Sequence, residues 1–143
     1  MMGFGGPWTF GWGQARAVLG GGSGPASLLD TSGFTNTGNQ AGHAEVLGID
    51  SFRVCRNGGG FGALSFTLPA GTYRFTGTAS AYDGAETGIS STRIDIQNGF
   101  SLAGRITSAG AFDLELTFTT NGRFFNGGSG QGIRIDSFNV VEV

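Results

Sequence analysis

Residues 112–119 read FDLELTFT, in which every second side chain is apolar. Phe112, Leu114, Leu116 and Phe118 fall on one side, and Asp113, Glu115, Thr117 and Thr119 on the other. A period of two is the signature of a strand with one buried and one solvated face. The pattern recurs upstream. In TYRFTGTA (72–79), Tyr73, Phe75 and Ala79 oppose Arg74, Thr76 and Thr78, and in RIDIQ (93–97), Ile94 and Ile96 oppose Arg93, Asp95 and Gln97. No stretch of this region sustains the i, i+3, i+4, i+7 spacing of a helix.

Turn residues separate these runs. Asn-Gly pairs stand at 57–58, 98–99, 121–122 and 126–127, and Pro69-Ala70-Gly71 divides two strand-like segments. Asn and Gly tolerate the positive φ of tight hairpin turns, so these pairs predict hairpins. About eight strands follow, at 47–55, 62–68, 72–80, 92–97, 101–107, 112–119, 123–125 and 132–142. The expected fold is all-β, a two-sheet antiparallel jelly-roll sandwich. The echo of GIDSFRV (48–54) in RIDSFNV (134–140) breaks strict alternation at the same place twice. A bulge would return Ile49, Phe52, Ile135 and Phe138 to the core, and the two strands are expected to be neighbours.

Around this body (47–143) lie a polar connector (25–46) and an N-terminal arm (1–24). Leu28, Leu29 and Phe34 are expected to anchor the connector. The arm holds nine glycines, Phe4, Trp8, Phe10 and Trp12, and one charge, Arg16. It lacks both the apolar run of a membrane span and the charged start of a secretory signal. Ordering so much glycine costs backbone entropy comparable to what its aromatic side chains regain by burial. An ordered arm therefore needs a neighbouring surface, and Phe4, Trp8, Phe10, Trp12, Val18 and Leu19 are its expected assembly interface. The glycines suit close approach of two backbones.

The totals narrow the chemistry. The 143 residues make one domain, able to bury roughly two-thirds of its unfolded surface. Glycine, at 29 residues, is about three times its usual share of roughly 7%. The thirteen phenylalanines supply a bulky core. Net charge is −2, and all eight basic residues are arginines scattered singly. That pattern offers no basic stripe for nucleic acid. Without lysine there is no P-loop amine, Schiff-base amine or Ser-Lys dyad. The lone Cys55 excludes an internal disulfide and reads as a small buried residue at a strand end.

The remaining candidates each face a simpler reading. His43, the only histidine, has no G-x-S-x-G partner and is expected on the surface. Asp83 and Glu86, in SAYDGAETG (80–88), are spaced to share a cation that Asp95 could approach, yet a solvated acidic loop accounts for them equally. Asp113 and Glu115 lie two apart on one strand face, roughly 7 Å, an ordinary arrangement on a solvated strand. NGGGFGA (57–63) and NGGSGQG (126–132) lead into strands rather than helices, so neither cradles a pyrophosphate. No cofactor and no metal are expected. With no tryptophan in the body and Tyr73 in the core, Tyr82 is the expected sugar-stacking platform, with Phe124 or Phe125 as an outward ring.

The run FTLPAGTYRFTGTASAYDG (66–84) and the ending IRIDSFNVVEV (133–143) resemble carbohydrate-binding-module-like jelly rolls. The resemblance covers about residues 45–143. It implies a galactose-binding-like sandwich, a fold used by sugar-binding modules, receptor-binding domains and virus-particle proteins. It also implies Asp50 and Asp136 as candidates for a structural calcium site. Combined with the arm, it leads to the expectation of a non-enzymatic bacteriophage-type virion protein. This would be a capsid decoration (cement) protein or a fibre or tail knob, expected as a homotrimer docked on a larger assembly. The alternative is a carbohydrate-binding module of a microbial surface or secreted protein. No nucleic-acid or membrane partner is expected.

Overall fold

The computed structural model describes residues 26–143, and the arm residues Phe4, Trp8, Phe10, Trp12, Val18 and Leu19 lie outside them. The alternating segments become strands: β1 (Thr35–Asn36), β2 (Ala44–Gly48), β3 (Ser51–Arg56), β4 (Gly62–Phe66), β5 (Gly71–Ala81), β6 (Ser91–Thr92), β7 (Ile94–Asn98), β8 (Ser101–Ile106), β9 (Gly110–Phe118), β10 (Gly122–Asn126) and β11 (Gln131–Glu142). They form two packed sheets. One has the order β1-β4-β10-β7-β8, the other β2-β3-β11-β5-β9, with β6 alongside β11. All pairings are antiparallel except β6 with β11. The protein is an all-β, two-sheet sandwich.

Alternation places the core as expected. Tyr73, Phe75, Leu116 and Phe118 of the six-stranded sheet meet Leu64, Phe66, Ile94, Ile96 and Phe124 of the five-stranded one, all buried. Phe34, Phe52, Phe66, Phe124 and Phe138 form a continuous aromatic cluster, with Phe52 and Phe124 closest at 4.7 Å between ring centroids. Each fully buried phenylalanine is worth about 1.5–3 kcal/mol against exposure. Tyr73 donates its hydroxyl proton to the carbonyl of Pro69 (2.6 Å), which satisfies its one polar atom.

The echoed segments are neighbours. Ile133, Arg134 and Ile135 of β11 face Val54, Arg53 and Phe52 of β3. A bulge between Ile135 and Ser137 shifts the register of β11 against β5, so that both Ile135 and Phe138 point into the core. The first copy behaves differently. Residues 47–55 are not one strand, because the chain reverses at Ile49-Asp50 between β2 and β3. Ile49 sits on that reversal and is 62% exposed, so the expectation that it returns to the core is overturned.

Most turn signals also have a different meaning. Asn98-Gly99 makes a true hairpin between β7 and β8, with Gly99 at φ 62°. The Asn-Gly pairs at 57–58, 121–122 and 126–127 instead carry the chain from one sheet to the other, as does Pro69-Ala70-Gly71. The two glycine-rich links lie together: the Gly58 amide donates to Ser129 Oγ (3.1 Å), and Arg56 donates to the Gly127 carbonyl.

The connector closes one end. Leu28 donates its amide proton to the Val140 carbonyl (2.8 Å), and the Val140 amide donates to Ser27 Oγ (3.0 Å). Thr31 grips the β2–β3 reversal through Gly48 and Ile49 carbonyls. Leu29 is buried and Phe34 packs on the core, whereas Leu28 faces outward and anchors only through its backbone.

Candidate functional site

Two places gather side chains with chemical potential. The first lies where the segment after β5 folds back over β3. His43 ends a short 3₁₀ turn (Ala41–His43) and is only 4% exposed, against the expectation of a surface histidine. The cause is tertiary: its turn packs against β3 and β4, and Glu86 of the segment after β5 reaches its ring. His43 Nδ1 lies 3.3 Å from Glu86 Oε1 and 3.9 Å from Cys55 Sγ. Both contacts use the same ring nitrogen, while Nε2 is buried with no hydrogen-bond partner among the described residues. A nucleophile–base–carboxylate relay needs the two nitrogens to face opposite partners, so this cluster is not one. Cys55 is wholly buried, and that burial pushes its thiol up, away from the reactive thiolate.

Tyr82 belongs to the same cluster. It is half-buried, and its hydroxyl accepts from the Glu86 amide (3.5 Å). Burial first, and then its hydrogen bond with Cys55, push the phenol up to about 12. Its ring is tucked against the protein rather than laid open as a stacking platform.

Asp83 is turned away from Glu86. One oxygen accepts from Arg53 Nε (2.6 Å) and the other from Arg134 Nη1 (2.7 Å). Glu45 adds to Arg53 (2.6 Å) and Asp136 to Arg134 (3.0 Å), giving an alternating chain of charges across the outer face of the six-stranded sheet. Hydrogen bonds from Arg53 and then Arg134 hold the Asp83 carboxyl below the usual range. Asp113 pairs with Arg74 (2.5 Å). Asp95 lies in the other sheet, and Asp50 is in the β2–β3 reversal. Among the described residues, no group of three His, Cys, Asp or Glu side chains is arranged to hold a metal ion.

The second place is the outer face of the five-stranded sheet. On β10, Phe124 points into the core and Phe125 outward beside Arg123. The Arg123 guanidinium carbon lies 4.3 Å from the Phe125 ring centroid, 4.8 Å from Phe100 and 5.7 Å from Phe61. Its Nε donates to Gln97 Oε1 (2.6 Å). Phe100, on the β7–β8 turn, is 86% exposed, and Leu102 beside it is also exposed. Sequence reasoning found only the Phe124-Phe125 adjacency. Phe61, Phe100 and Arg123 are brought together by the pairing of β10 with β4 and β7, which no local pattern encodes. Compared with protein-family models and with curated proteins, the chain matches none.

Proposed function

We propose that this chain is a non-enzymatic structural component of a virion, a capsid decoration protein or a fibre or tail knob. In this reading residues 1–24 dock onto neighbouring copies or a larger assembly, and the sandwich projects from it as a trimer. The observation that supports the reading is the filled core. Among the described residues, those from 29 to 140 pack the space between the sheets largely with phenylalanine, and in this reading Phe4, Trp8, Phe10 and Trp12 serve another surface. The test is the native mass of the full chain beside a chain beginning at Pro25, which keeps the Ser27 and Leu28 contacts. A trimer or larger for the first and a folded monomer for the second support the arm as an assembly device. Two monomers refute self-assembly.

A second reading, a carbohydrate-binding module, is favoured by one observation: the exposed Phe100 ring beside Arg123 and Gln97. A flat apolar ring next to planar polar groups suits a sugar's C–H face and hydroxyls. In that reading Phe100 takes the stacking role first assigned to Tyr82.

A further inference from the structure

The charges of the sandwich are divided unevenly. Of the ten acidic residues of the chain, only Asp95 lies on the five-stranded sheet. Two arginines contact it. Arg105 donates to both Asp95 oxygens (2.7 and 3.4 Å), and Arg93 approaches one of them at 3.3 Å. Arg123, on the neighbouring strand, has no carboxylate partner among the described residues. Its charge is half-buried between rings, and burial holds it below the ordinary arginine value. A partly desolvated cation without a counter-charge gains most from an arriving anion.

The surroundings define what kind of anion fits. Among the described residues the face is uncovered, with hydroxyls at Thr37 and Ser65, the Gln97 amide, and Phe100 lying outward. We propose that this face, centred on Arg123 and Phe100, binds an anionic saccharide. Its carboxylate or sulfate pairs with the Arg123 guanidinium, and its ring packs on Phe100. The proposal rests on the carbohydrate-binding reading and goes beyond it by requiring a charged sugar.

The test is affinity electrophoresis of the full chain in native gels holding polygalacturonate, dextran sulfate, polyglutamate or neutral dextran. Polygalacturonate or dextran sulfate should retard the protein, and the more effective of the two identifies the anionic group. Arg123→Gln should weaken this retardation about tenfold or more, the scale of a lost charge-assisted hydrogen bond. Phe100→Ala, at a position too exposed to endanger folding, should also weaken it. Arg74→Gln, on the opposite sheet, should leave it unchanged. Equal retardation of Arg123→Gln and the parent overturns the site. So does retardation by polyglutamate as strong as by the acidic saccharides, which assigns the face to an acidic peptide. Binding to neutral dextran alone overturns the anionic site and spares the carbohydrate reading, whereas no retardation in any gel overturns both.

Discussion

Asp83 is the residue on which the outer charge network turns, since it alone joins Arg53 to Arg134. A carboxylate held low in the folded state stabilises the fold above its unfolded value, 3.8. That contribution is lost as pH falls through that value and past the lower folded one. Asp83→Asn is therefore expected to lower stability near neutrality and to flatten the acid limb below about pH 4. Urea midpoints measured from neutral pH down to acid check both effects, and an unchanged acid limb would refute the assignment. At this scale the sequence was readable where a residue's own strand decides its fate. Tyr73 is buried because of its place on β5, whereas Cys55, beside the inward Val54, is on the outer face of β3 and is buried by His43 and Tyr82. The sequence was unreadable where a distant segment decides. His43 is enclosed by β3, β4 and Glu86 of the segment after β5, and Arg123 acquires the rings of Phe61 and Phe100 from segments far away along the chain.

At the scale of elements, the bulge in β11 is the feature that sets packing. It brings the Ser137 carbonyl so close to Gly77 of β5 that a Cβ there would collide with it, and would also lie 2.7 Å from Phe112 Cζ and 2.9 Å from Phe138 Cα. Two of these neighbours are backbone and cannot turn aside. Gly77→Ala should cost about 1–3 kcal/mol, as overpacking does. Gly42→Ala, with open space around its site, is the control and should be nearly neutral. Equal denaturation midpoints for the two variants would show that the strands give way freely. The strands themselves were legible from alternation, and the echo at 48–54 and 134–140 correctly paired β3 with β11. The links were not. An Asn-Gly pair specifies a local reversal of backbone, but not whether the outgoing strand joins the same sheet or the opposite one, which packing decides.

Over the whole molecule, the sheets present unlike surfaces. The six-stranded sheet carries the alternating salt-bridge chain, and the five-stranded sheet carries arginine and phenylalanine around one carboxylate. The strand order has a further consequence. The last strand, β11, is not at an edge but in the middle of its sheet, between β3 and β5, and it also receives Leu28 from the opposite end of the described chain. Until residues 131–142 have left the ribosome, β3 and β5 each present an open edge, and the six-stranded sheet has no centre. Pairings of such long sequence separation also form slowly. Synthesis is thus expected to yield a protease-sensitive chain throughout. Nascent chains arrested with β11 still inside the exit tunnel should be cleaved readily, and those arrested after its emergence should resist. Protection appearing before β11 emerges would mean that the remaining strands make a stable unit without it.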